Sequence, residues 1–198
     1  MNIILNPMPD FLEVGGEKIP VNTDFRTWIR FDEALFWSDK PMEERLFSAL
    51  DICYDGKIPA DITGAAHAAI GFYAPKDEKT ENNGENTQSE QRGSSRSKQF
   101  YSFTHDASMI YAAFLSQYRI DLTKDDLHWW LFRALFEGLT DENKICKVME
   151  IRSVDLSKIK DKEQKAHYRR LKRIYRLPDP RCEEEREADM INALSVMF

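Results

Sequence analysis

Apolar residues recur at helical spacing along most of the chain, interrupted by one short stretch that alternates around a glycine pair and one long stretch with none. The alternation is FLEVGGEKIPV, Phe11 to Val21, centred on Gly15-Gly16, a pair that can take the positive φ of a tight turn. It predicts a small N-terminal β-hairpin. Thr23 or Asp24 then offers a helix cap ahead of Phe25, Trp28, Ile29, Leu35 and Phe36 at helical spacing. Pro41 stands where a second helix can begin, and Met42, Leu46, Phe47, Leu50 and Cys53 continue it to the breaker Asp55-Gly56. A shorter helix, rich in small residues and so able to pack closely, is expected from Asp61 to Tyr73.

Lys76 to Gln99 contains no aliphatic or aromatic side chain. Such a segment cannot bury enough apolar surface to offset its ordering entropy, and it is expected to be a disordered polar loop within the domain. Beyond it, Met109, Ile110, Ala113, Phe114 and Tyr118 mark a helix over 105–118. Thr140 can cap another helix with Ile145, Val148 and Met149 inward. A long polar helix from Asp161 carries Tyr168, Leu171, Ile174 and Tyr175 and stops at Pro178 and Pro180. The final EEEREADMINALSVMF is acidic first and apolar later, as in a terminal amphipathic helix. The pattern predicts a mainly α protein, a multi-helix bundle with a small N-terminal β-hairpin. Its parts are 1–75 (hairpin and helices), 76–99 (loop), 100–177 (helical core) and 178–198 (acidic tail or helix).

The densest apolar stretch is DDLHWWLFRALFEGL, Asp125 to Leu139. Thr123 and Asp126 have the spacing of a capping box and Gly138 is a natural stop, so one helix is expected over 124–137. Stepping 100° per residue places Leu127, Leu131 and Ala134 on one face, assigned to the core. Trp129, Phe132 and Phe136 fall nearly opposite, with His128 at their edge. A helix apolar on both faces is normally covered on both. The aromatic face is therefore assigned to a second interface, for self-association or for a client helix, with ordinary core as the alternative.

With 198 residues, 42% hydrophobic and 12% aromatic, the chain can bury a real core. Three cysteines, far apart and without a C-x-x-C, argue against a disulfide framework and for a reducing compartment. Met1 is not followed by a secretion-signal pattern, and no apolar run approaches the ~18 residues of a membrane span. A soluble intracellular protein is expected. The formal charge of −6 argues against general affinity for nucleic acid.

Candidate chemistry is sparse. The four histidines include no i, i+4 pair and no H-E-x-x-H, and phosphate-loop and nucleophile-elbow motifs are missing. Acidic pairs such as Glu43-Glu44 sit at helix starts, where carboxylates suit the dipole. No nucleophile or orienting carboxylate can be assigned to His128. No catalytic residue, metal site or cofactor is expected, and the chain is read as a non-enzyme.

The sharpest charge feature is Lys158 to Arg176, with nine basic and two acidic residues. As a site, Arg169, Arg170, Lys172 and Arg173 could neutralise phosphates while tyrosines stack on bases. As structure, Tyr168, Leu171 and Tyr175 form an inward stripe and the basic residues its wet face. The second reading is preferred, because acidic segments elsewhere can balance the charge.

Three segments, GGEKIPVNTDFRTWIRFDEAL, MIYAAFLSQYRIDLTKDDLHWWLFRALFEGL and RSVDLSKIKDKEQKAHYRRLKRIYRLP, together resemble the bacteriophage gene-product-fifteen family of phages and prophages of low-GC Gram-positive bacteria. The resemblance covers most of the chain apart from the polar loop and the acidic tail. It implies a gene in the tail-morphogenesis region, near those for the major tail and tape-measure proteins, and hence a tail assembly chaperone in the host cytoplasm. The implied partners are the tape-measure protein, the major tail protein as a further candidate, and a second copy of the chain. A structural subunit of the particle and a nucleic-acid-binding module are the competing classes. The resemblance brings no catalytic or binding residue with it.

Overall fold

In a computed structural model the described residues are 4–75 and 100–179. The segment 76–99 and the tail beyond Asp179, for which a loop and an amphipathic helix were expected, lie outside them. Among the described residues the chain is mainly α, with seven α-helices and one two-stranded antiparallel sheet.

The hairpin pairs β1 (Phe11–Val14) with β2 (Glu17–Pro20) in the register Val14↔Glu17, which leaves Gly15 and Gly16 as the turn. Both glycines have positive φ, 60° and 85°, the backbone of a type I′ turn that side chains resist. Alternation sends Leu12 and Val14 into the core. Of the two candidate caps, Asp24 is the one used: its carboxylate accepts the Arg26 amide at the start of α1 (Phe25–Asp32). The helix widens into a π-helical stretch, Glu33–Trp37. Helix α2 (Met42–Cys53) follows Pro41 and ends where Asp55 and Gly56 take positive φ. Helix α3 (Ile62–Tyr73) starts from Asp61, which accepts the Gly64 amide, and buries Ala65, Ala66 and Ala69.

After Phe100 come α4 (Ala107–Tyr118), α5 (Trp129–Glu137), α6 (Lys144–Ser153) and α7 (Lys162–Ile174). Helix α4 closes on Arg119 in the left-handed region, φ 61°. Two local expectations fail. Helix α5 starts at Trp129 rather than 124, because Thr123 is drawn into a turn: its amide and hydroxyl both donate to Asp121 Oδ1, at 3.0 and 2.6 Å. Its side chain is thus taken up by the turn and caps nothing. Thr140 does not start α6 either; Asn143 occupies the cap position, and the Thr140 amide donates instead to Gln117 Oε1 at 3.0 Å.

Two compact units result. Among the described residues the first contains 4–75, 126–132 and 178–179, and the second contains 100–125 and 133–177. Residues 126–132 thus pack with the N-terminal residues. Helix α5 contributes 129–132 to the first unit and 133–137 to the second.

Candidate functional site

In the first unit, two of the aromatic residues of α5 lie inside. Trp129 and Phe132 are fully buried. Phe132 stacks on Phe25 with centroids 4.8 Å apart, and Trp129 stacks on Tyr73 at 5.3 Å and on Trp28 at 6.4 Å. Trp28, also fully buried, reaches Phe72 at 4.5 Å and Phe31 at 5.2 Å. Offset aromatic packing of this kind adds ~0.5–1.5 kcal/mol per pair to ordinary burial.

The polar edges of the tryptophans are satisfied in a revealing way. Trp129 Nε1 donates to the Tyr73 carbonyl at 3.0 Å and Trp130 Nε1 to the Phe72 carbonyl at 2.8 Å. These are the last two residues of α3, whose carbonyls have no partner within their own helix. The Trp-Trp pair thus caps the C-terminus of α3 with two indole N–H groups. His128, half-buried, accepts the Trp130 amide on Nδ1 at 3.1 Å, so its proton sits on Nε2, which meets the Pro9 carbonyl at 3.0 Å.

These contacts give Trp129 and Phe132 the core role that stood as the alternative to an interface of Trp129, Phe132, Phe136 and His128, and they leave His128 half-buried. Phe136 is buried as well, in the second unit, against Tyr101 at 4.9 Å and Phe103 at 5.4 Å. Conversely, the face assigned to the core is the wetter one: Leu127 and Leu131 are half-buried and Ala134 is exposed. Large flat rings bury more area than leucines, so they take the inner face when both faces are apolar.

In the second unit, one residue that sequence reasoning missed holds three segments together. The Arg152 guanidinium is bidentate to Asp106, with Nη1–Oδ2 at 2.6 Å and Nη2–Oδ1 at 2.9 Å. It also donates to the Phe100 carbonyl at 2.9 Å and, through Nε, to the Tyr175 carbonyl at 2.6 Å. Asp106 is 1% exposed and further accepts the Ser102 amide at 3.1 Å. The aspartate stands at the N-terminus of α4 but makes no capping hydrogen bond with its side chain, which is committed to Arg152 and the Ser102 amide; nothing in the sequence marks Arg152.

The four residues of the basic stripe divide. Lys172 turns inward and its Nζ donates to the Arg152 carbonyl at 2.7 Å. Arg169, Arg170 and Arg173 are exposed and make no hydrogen bond or ion pair among the described residues. Helix α7 fully buries no side chain; Tyr168, Leu171 and Tyr175 are half-buried, and Ile174 is 60% exposed beside the arginines.

Chemistry-bearing groups are otherwise quiet. Burial pushes the Cys53 thiol up to about 12, which keeps it protonated and unreactive. Among the described residues, no group of three or more His, Cys, Asp or Glu side chains is placed to hold a metal ion, and no helix is long and apolar enough to cross a membrane.

A family model described as "Bacteriophage Gp15 protein" matches residues 4–177, and so takes in both units. The chain belongs to the bacteriophage Gp15 protein family. It is a bacteriophage protein. Within the family match fall the Trp-Trp cap of α3, the Arg152–Asp106 pair and the basic helix. No curated protein and no solved structure matches the chain.

Proposed function

We propose that the chain is a tail assembly chaperone: a non-enzymatic protein that binds the helical tape-measure protein in the bacterial cytoplasm and shields it until the tail tube polymerises around it. The observation that carries this reading is membership of the Gp15 family over 4–177. The sequence resemblance implies a gene in the tail-morphogenesis region, near those for the tape-measure and major tail proteins, which supports the reading. A long helical protein with apolar stripes aggregates unless those stripes are covered before assembly, and packing of helix against helix is the economical cover. The major tail protein is a second candidate partner, and self-association is compatible with the role.

Co-expression with the tape-measure protein of the same phage, followed by affinity purification, tests the proposal together with mass spectrometry of purified particles. The expected result is a complex with the tape measure before assembly and no copies of the chain in mature particles. Many copies per particle would make it a structural subunit instead.

A further inference from the structure

We infer that the outer face of α7 is a docking surface for an acidic amphipathic helix of a protein partner. The span Lys158 to Arg176, with nine basic and two acidic residues, carries +7 in a chain of −6, so the rest of the chain carries −13. Charge of that size is normally balanced by nearby carboxylates, yet Arg169, Arg170 and Arg173 pair with none among the described residues. Lys172, on the inner side of the same helix, does find an acceptor. Arg169 and Arg173 are one helical turn apart, as are Arg170 and Ile174. They form two adjacent rows, one basic and one ending in an isoleucine that is 60% exposed.

That arrangement fits a helix presenting carboxylates in one row and leucines in the next. Guanidinium groups grip carboxylates bidentately, and the isoleucine rewards an apolar neighbour. The 13-residue helix offers ~20 Å of contact. A nucleic acid is the poorer match. The chain outside 158–176 carries −13, which disfavours a long polyanion, and phosphates gain nothing from Ile174.

The inference rests on the proposed chaperone role for its biological partner, but the surface can be tested alone. Fluorescence anisotropy of the full chain would use a labelled synthetic helix of about five turns with glutamates at i, i+4 and leucines in the adjacent row. A DNA duplex of matching length serves as the competing ligand. The expected outcome is binding that weakens about tenfold when leucines become serines or glutamates become glutamines, and likewise for R169E/R170E/R173E. A peptide with lysines for glutamates should then regain the reversed variant. The peptide-side changes carry the test even where the variant folds poorly.

With the peptide, the inference is overturned by tighter binding of the duplex, by indifference to the leucine or glutamate replacements, or by a tenfold gain in affinity when Glu183, Glu184, Glu185, Glu187 and Asp189 are neutralised. The last would mean that the chain's own acidic segment is the occupant. If the tape measure binds wild type and R169E/R170E/R173E alike, this surface is wrong while the chaperone role stands. If the peptide binds and the tape measure does not, the reverse holds.

Discussion

Asp24 and His128 face each other in an isolated antiparallel bridge that joins the starts of two helices distant in sequence. The Phe25 amide donates to the Leu127 carbonyl at 2.9 Å, and the Trp129 amide to the Thr23 carbonyl at 2.8 Å. Both donors are first-turn amides, which a helix cannot satisfy itself, so each helix start supplies what the other lacks. Each bridge residue also caps its own helix with its side chain, Asp24 on the Arg26 amide and His128 on the Trp130 amide.

His128→Leu is therefore expected to destabilise the protein by ~1–2 kcal/mol, the loss of a helix cap together with the bond to Pro9. His128→Asn, which can still accept the Trp130 amide, should recover part of that loss. Urea denaturation of the three proteins checks the order wild type, Asn, Leu.

Burial, rather than helical periodicity, sets the expected stability ranking within α5. Phe132→Ala and Trp129→Ala each remove a fully buried ring and are expected to cost ~3–5 kcal/mol. Leu131→Ala, at a half-buried position, should cost less than either. Thermal melts decide the matter, and a larger shift for Leu131→Ala would contradict the arrangement described for α5.

Much of the fold is legible from local rules. Gly15-Gly16 gives the hairpin, Asp24, Asp61 and Asp161 mark the starts of α1, α3 and α7, and helical periodicity places α2 and α4 within two residues of their observed ends. Periodicity finds two apolar faces on α5 but cannot rank them, since the ranking depends on Trp28, Phe72 and Tyr73 arriving from α1 and α3. The 124–128 residues read as helix because the Thr123/Asp126 capping box is a local signal. The bridge to Thr23–Phe25 that holds Leu127 and His128 outside the helix is a contact about a hundred residues away. Arg152 is illegible for the same reason: its four acceptors come from residues 100, 106 and 175. Of the candidate sites, the exposure of Arg169, Arg170 and Arg173 follows from the inward stripe of α7, whereas the inward turn of Lys172 needs Arg152 in place.

Removing Arg152 should be far more damaging than its side chain's apolar contacts imply. Arg152→Met strands the Asp106 carboxylate, 1% exposed, without its countercharge, and the expected loss is ~3–5 kcal/mol. Asp106→Asn in the Met background should return part of it, because a neutral amide is cheaper to bury than an orphaned charge. A double-mutant cycle by chemical denaturation would show this coupling; strictly additive losses would mean that the pair does not act as a unit.

The turn before α5 carries an acid-sensitive contribution whose sign follows from its hydrogen bonds. Thr123 donates its hydroxyl and amide to Asp121, and Lys124 lies 3.1 Å away; together they hold the Asp121 carboxyl down at about 2, against an ordinary 3.8. A carboxylate with a folded pKa below its unfolded one binds fewer protons when folded. Its stabilisation is fully present above about pH 4 and is lost as the pH falls toward 2. The group lies at the surface, half-buried, and its partner Lys124 is exposed, so the effect on global stability should be small and the local signature clearer. Carboxyl NMR titration is expected to place the Asp121 midpoint below those of ordinary aspartates. In Thr123→Ala, which deletes the hydroxyl donor, the midpoint should rise toward 3.8. An unchanged midpoint in that variant would show that the hydroxyl is not what holds the carboxylate ionised.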